Sequence, residues 1–453
     1  MQSEGWSSQR LYRPYLRASL IVAVTLGFST GAAILIMPLL GMERSLTWVT
    51  HGQSHGIAQL FGWAGLFVMG FAFHVVPRFF SSATRYPTPQ RVSMWLTITG
   101  LLLRFTGQSM YKSSVADPLL VSGGIALAAG LMLFAWTLFD VVRGSTDKSG
   151  PAELWMISGI FWSATSGILH LAIVLRMSTG SSPLGYALWN EALIYAALFG
   201  FVGSFIFGVS ARAIRGFLVL KPAHLRVNRA ALAIVNSGLV VLVIVRFAEF
   251  DQTFASIGLM LIASGALLYV LALRILEPAA GVARRFTVGY RRYGTFIRVA
   301  YAWLVIGCLM LVVTALDSSG ATDLLPPGVA LPVLHVLTMG FVTTLIMSAA
   351  SRLVPIFEGS DIQYPRLLDA TFVLITASTA LRILFGYSTS ELSVRALGAS
   401  GGLGLLAIIL FAVVMFQALS KDARTSYAAR AAAFGQVKFH TVKYPNRRNK
   451  QQN

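Results

Sequence analysis

The chain has 453 residues, of which 56% are apolar and only 12% charged, with a mean hydropathy of +0.70. That balance excludes a soluble globular domain and places the chain among integral membrane proteins, embedded in a lipid bilayer. A net charge of +19 would suit a nucleic acid, but the basic residues are strung along one side of a series of apolar runs and form no single patch, so no nucleic-acid partner is expected.

A bilayer core needs roughly 20 helical residues, and the first apolar run of that length covers 18–40. It is too long for the apolar part of a signal peptide and a second run follows at once, so it reads as a retained first helix. Runs at 47–76, 92–110 and 118–142 complete a first group of four. A second group lies at 154–176, 184–211, 229–249 and 253–275, and a third at 296–316, 329–351, 367–387 and 393–418. The expected fold is all-α and polytopic: twelve transmembrane helices in one domain over 1–420, followed by a basic cytoplasmic tail at 421–453.

Lys and Arg next to membrane spans report orientation. The first tail (Arg10, Arg13, Arg17), the loops after the even-numbered helices and the last tail (Lys421 to Lys450) hold most of the 36 basic residues. Only Arg44, Lys112, Arg176 and Arg395 fall in loops on the other side. Both termini are therefore expected in the cytoplasm, as an even number of spans requires. The inner loop carrying Arg284, Arg285, Arg291, Arg292 and Arg298 would also suit anionic lipid headgroups.

The second helix of each group is a version of one sequence. LFGWAGLFVMGFAFHVVPRFF (60–80), LFGFVGSFIFGVSARAIRGFL (198–218) and LTMGFVTTLIMSAASRLVPIF (337–357) align on Gly62, Gly200 and Gly340. A spacing of about 140 residues points to three structural repeats, about 1–145, 146–280 and 281–420, with pseudo-threefold symmetry.

Cys308 stands alone, which leaves no disulfide, iron–sulfur cluster or thiolate copper centre within this chain, so any redox metal falls to histidine. His51 and His55 occupy the first two turns of helix 2 on one face. His335 lies at the matching depth of helix 10 and His170 near the outer end of helix 5. His74 is about 28 Å along helix 2 from His55 and belongs to no common site. His224 and His440 lie in cytoplasmic segments. Arg104, Arg246 and Arg382 recur near the outer end of the third helix of each group. Such arginines either snorkel to the interface or pair with buried carboxylates such as haem propionates; Arg104 and Arg382 follow the two histidine-bearing helices directly. Glu191 and Tyr195, a turn apart on helix 6, are either a proton relay or hard-metal site, or a hydrogen-bonded polar pair.

His51-Gly-Gln-Ser-His55-Gly-Ile-Ala-Gln-Leu-Phe-Gly62-Trp, ending Val75-Val76-Pro77-Arg78-Phe79, together with Leu334-His335-Val-Leu-Thr-Met-Gly340, ending Ser351-Arg352, resembles the NnrS family of haem- and copper-containing membrane proteins. That family is distantly similar to the catalytic subunit of haem-copper oxidases and nitric oxide reductases. The resemblance implies a bacterial inner-membrane protein acting in nitric oxide metabolism or the response to nitrosative stress, with haem b near the outer face between helices 2 and 10. It also implies copper, and a quinol or cytochrome as electron donor. His55 matches the first histidine of the family's His-x-His-Glu, whereas Ile57 and Ala58 stand where the second histidine and the glutamate belong.

Helix 6 offers Trp189, Asn190 and Glu191, helix 7 has no histidine and helix 10 has one, so the oxygen-reducing, proton-pumping centre of the oxidases is not expected. If His55 and His335 both bind the iron, the result is an electron-transferring b-type cytochrome. If one binds, the opposite face is open to a gas, and His51 or His170 is free to hold copper as neutral imidazole. A transporter using the same histidines for passing metal ions or small solutes is the competing class, although repeats of four helices keep one orientation and are not inverted copies.

Overall fold

The computed structural model describes residues 11–42, 45–146, 148–180, 182–280, 292–323 and 330–420. The tail at 421–453 with His440, the loop arginines Arg284, Arg285 and Arg291, and Arg10 and Arg44 lie outside the described residues. The chain forms helices α1 (Tyr12–Leu40), α2 (Leu46–Phe79), α3 (Pro87–Ser109), α4 (Ala116–Arg143), α5 (Pro151–Thr179), α6 (Ala187–Phe217), α7 (Leu225–Phe247), α8 (Gln252–Leu273), α9 (Tyr293–Ser318), α10 (Leu331–Glu358), α11 (Pro365–Phe385) and α12 (Glu391–Ala418). No strand occurs among the described residues.

Eleven of these helices are long and apolar enough to cross a membrane, against the twelve expected. The exception is α3, whose 23 residues include Arg91 and Arg104. Its polar side chains Ser93, Thr97, Arg104 and Gln108 are turned into the protein. A helix that buries its polar face against protein needs less apolar composition than one judged by hydropathy alone.

Burial separates the helices into two classes. The most apolar stretches of α2, α6 and α10 are 94%, 89% and 78% buried, whereas those of the other membrane-length helices are 39 to 61% buried. These three helices form the core and the others surround them. Each core helix relaxes into π-helical hydrogen bonding over eight residues, Ala58–Gly65, Ala196–Gly203 and Val336–Thr343. Gly62, Gly200 and Gly340 sit at the same place in the three segments. A side chain there would strike the helix that precedes each core helix in sequence: Val22 of α1, Trp162 of α5 or Trp303 of α9.

Outside the core, consecutive helices pair as tight hairpins. At the α3–α4 crossing, a Cβ on Gly100 would fall 2.5 Å from the Leu127 nitrogen, and at the α7–α8 crossing one on Gly238 would fall 2.7 Å from the Gly258 carbonyl. In the α11–α12 hairpin, Ser378 Oγ donates to the Ser400 carbonyl at 2.6 Å. Small residues let the backbones meet where the lipid supplies no hydrophobic drive for association.

Candidate functional site

His55 stands on α2 just before its π segment. Its Nδ1 lies 2.8 Å from the carbonyl of Gly27 on α1. The carbonyl can only accept, so Nδ1 carries the proton and the lone pair is left on Nε2. The imidazole fits because α1 has no side chain opposite it: a Cβ on Gly31 would lie 2.6 Å from His55 Cε1. Gly27, one turn earlier, likewise makes room for Gln59. The carbonyl of Gly27 belongs to a π-helical stretch of α1, Ala23–Ser29, of the kind that gathers at functional sites.

His335 repeats this chemistry on α10, with its Nδ1 2.9 Å from the carbonyl of Leu331. Neither His55 Nε2 nor His335 Nε2 has a protein partner among the described residues, and both side chains are half-buried. Gly52 and Gly56, one turn apart on α2, also face open space. Arg382 of α11 lies within electrostatic reach of both histidines, and the start of α10, which carries His335, packs on α11. Arg382 is 7% exposed; its Nε is buried without a partner, and among the described residues the guanidinium has no ion pair. A buried guanidinium without a counter-charge is costly, and a carboxylate is the group that best relieves it. Two imidazoles with Nδ1 tied to carbonyls, and an arginine without an ion pair among the described residues, would fit a haem, the histidines serving its iron and Arg382 a propionate.

The other residues singled out by sequence go elsewhere. Arg246 forms an ion pair with Glu191 at 2.5 Å and donates to Gln252 at 2.6 Å, so Glu191 is half of a polar pair. Arg104 donates to Gln108 Oε1 at 2.8 Å; that oxygen also accepts from Ser54 Oγ, and the Gln108 amide reaches Gln53 and the Pro183 carbonyl. This network ties α2 and α3 to the loop before α6. His51 has both ring nitrogens engaged, Nδ1 with the Thr47 carbonyl at 2.6 Å and Nε2 with Ser109 Oγ at 3.3 Å. His170 is fully buried, with neither nitrogen hydrogen-bonded among the described residues, and it sits against Phe61. His74 packs against Phe357 at 4.0 Å.

His51, His55, His170 and His335 therefore do not converge on one centre, and no cluster of three or more His, Cys, Asp or Glu able to hold a metal ion exists among the described residues. The aromatic residues of α2 mostly pack: Trp63 Nε1 donates to Thr343 Oγ1 at 3.1 Å and Phe67 stacks on Phe71 at 4.4 Å. Sequence reasoning overlooked Gly27 and Gly31. Their spacing of four on a helix was the available signal, since it puts two bare positions on one face.

A family model described as NnrS protein matches residues 16–422. The chain belongs to the NnrS family. A haem-copper terminal oxidase dimer solved by electron cryo-microscopy is similar to it in structure, with a TM-score of 0.67 over 90% of this chain and 84% of that one, at 11% sequence identity. At that identity the likeness concerns the fold, so this NnrS-family chain has a haem-copper-oxidase-like fold. None of the curated proteins matches it in sequence.

Proposed function

We propose that this NnrS-family chain is a haem protein of the bacterial inner membrane that acts in nitric oxide metabolism or the response to nitrosative stress. In this reading twelve spans form three groups of four, both termini are cytoplasmic, and haem b lies near the outer face between α2 and α10. One observation carries it: His55 and His335 each use Nδ1 on a backbone carbonyl, and among the described residues their Nε2 atoms have no partner and the neighbouring Arg382 has no ion pair.

The chain's own groups have defined tasks. His55 and His335 supply neutral imidazole nitrogens, and the Gly27 and Leu331 carbonyls fix the tautomer and the ring orientation. Arg382 neutralises a carboxylate in a region of low dielectric. A bound haem would supply one-electron chemistry at iron. If both His55 and His335 were its ligands the site would suit electron exchange with a quinol or a cytochrome, and if only one were, the site would leave room for a gas. Copper has weaker support, because His51 spends both nitrogens on protein and His170 stands apart. The transporter reading has weaker support, because Glu191, an acidic group within the bundle, is held by Arg246.

The deciding experiment is an optical spectrum and pyridine haemochrome assay of detergent-purified protein, with His55→Ala and His335→Ala alongside. A b-type spectrum that disappears or turns high-spin in either variant supports the site. A colourless protein from haem-replete cells overturns it.

A further inference from the structure

The alignment of α2, α6 and α10 on Gly62, Gly200 and Gly340 continues to their far ends, away from His55 and His335. Twelve residues beyond the glycines stand His74, Arg212 and Arg352, and seventeen beyond stand Phe79, Phe217 and Phe357. These six close a ring in which the basic residue of each core helix meets the phenylalanine of another. Arg212 lies over Phe79 at 4.6 Å, Arg352 over Phe217 at 5.8 Å, and His74 against Phe357 at 4.0 Å.

The charges in this ring are balanced unequally. Arg212 pairs with Glu153 at 2.6 Å. Arg352 is 8% exposed, its Nε is buried without a partner, and it forms no ion pair among the described residues. Its neighbours are the rings of Phe217 and, at 5.3 Å, Tyr293, close to the ~6 Å limit of attraction between a cation and an aromatic face. The place of the missing counter-charge follows from the tryptophans that face the core glycines, Trp162 at Gly200 and Trp303 at Gly340. Nine residues before Trp162 is Glu153, and nine before Trp303 is Gly294. Both stand in the first turn of their helices, α5 and α9. Helix α9 thus has no side chain where α5 has its carboxylate. A Cβ on Gly294 would meet the tip of Leu218 at 2.8 Å and nothing else among the described residues. Phe217, Tyr293 and Gly294 are half-buried and Gly216 faces open space, so the place is reached from the end of the bundle.

A buried guanidinium calls for an anion, and its paired N–H groups hold a carboxylate or a phosphate in the same way. We propose that Arg352 is a binding site for a phosphate group, presented by an anionic phospholipid or by a soluble phosphate, which takes beside α9 the place that Glu153 has on α5. Phosphate is the anion that suits this end of the bundle, where the basic residues collect as they do beside anionic headgroups. The site stands independently of the haem reading, since Arg352 is ~25 Å along α10 from His335. Isothermal titration calorimetry of the full chain, stripped of lipid in detergent at constant ionic strength, tests it with inorganic phosphate and dihexanoyl phosphatidylglycerol as probes. One saturable site per chain is expected. Its affinity should fall by about tenfold or more in Arg352→Gln, and equally in Gly294→Glu, which restores an internal carboxylate. Gly294→Ala adds bulk without charge and should keep it. Binding of both probes supports a site for phosphate itself, and binding of phosphatidylglycerol alone supports a site for the lipid headgroup. The absence of saturable binding with either probe, binding that survives either charge substitution, or an equal loss in Gly294→Ala would overturn the proposal. Variants are compared only where the gel-filtration profile is unchanged, and if Arg352→Gln does not fold, the two Gly294 variants decide.

Discussion

His55 shows how a single residue depends on what faces it. An unpaired histidine in a membrane helix reads from sequence as a ligand or as a hydrogen-bonded polar group with equal ease. What separates the two here is the use of its two nitrogens: Nδ1 is committed to the Gly27 carbonyl and Nε2 to no partner among the described residues. His170, an equally plain candidate in the sequence, has neither nitrogen bonded and no open side. Gly31 is the residue on which the His55 geometry turns. A methyl group there would meet the imidazole at 2.6 Å, closer than non-bonded atoms tolerate, and the ring would have to tilt away from the Gly27 carbonyl. Gly31→Ala is therefore expected to weaken haem retention by about 10–100-fold, the range for loss of an outer-shell partner, while the protein still folds. Haem content per polypeptide after a competing apo-globin wash measures this, and retention equal to that of the unsubstituted chain would dispose of the positioning role.

At the scale of the helix, termination and capping are governed by short-range chemistry that the sequence displays openly. α8 begins at Asp251, whose side chain accepts from the Thr253 N–H at 2.8 Å. This hydrogen bond holds the carboxyl below its ordinary pKa. A group whose folded pKa is depressed contributes stability that is present above the unfolded value, about 3.9 for Asp, and lost as pH falls through the depressed one. Asp251→Ala is expected to lower the melting temperature near neutral pH, with the difference from the unsubstituted protein narrowing as the medium is made more acidic than pH 4. Thermal unfolding in detergent at pH 7 and pH 3.5 tests it, and an equal difference at both values would show that the carboxylate is not the cap. Helix α3 shows where the same local reading falls short. Its hydropathy is lowered by Arg104, Gln108 and the hydroxyls it buries, so composition underrates it, while its close crossing with α4 through Gly100 marks it as part of the bundle.

For the whole molecule, charge placement and packing point the same way. The end of the bundle where the basic residues collect is tied by ion pairs between helices: Arg13 of α1 with Glu358 of α10, Arg212 of α6 with Glu153 of α5, and Arg292 beside α9 with Asp369 of α11. If that end is cytoplasmic, as the positive-inside rule requires, a thiol introduced between α6 and α7 and one introduced between α3 and α4 must react from opposite sides. Cys308 is buried in α9, so it does not compete for reagent. Ala223→Cys is expected to label with a membrane-impermeant maleimide only after cells are permeabilised, and Ser113→Cys before. The reverse order would invert the topology.

The sequence by itself showed that this is a helical membrane protein and about where its helices lie, and it aligned three of them on Gly62, Gly200 and Gly340. Hydropathy, charge next to spans and repeat spacing are local or additive properties, and a linear chain carries them in full. It also narrowed the site to a few histidines and arginines. Only the tertiary structure decided among them, because the choice depends on contacts between distant segments. Arg104, Arg246 and Arg382 are alike along the chain, but Glu191 lies beside Arg246, Gln108 beside Arg104, and no partner among the described residues beside Arg382. His55 owes its open nitrogen to a carbonyl on α1, 28 residues earlier. A buried charge or imidazole is defined by what surrounds it, and in this bundle those surroundings come from other helices.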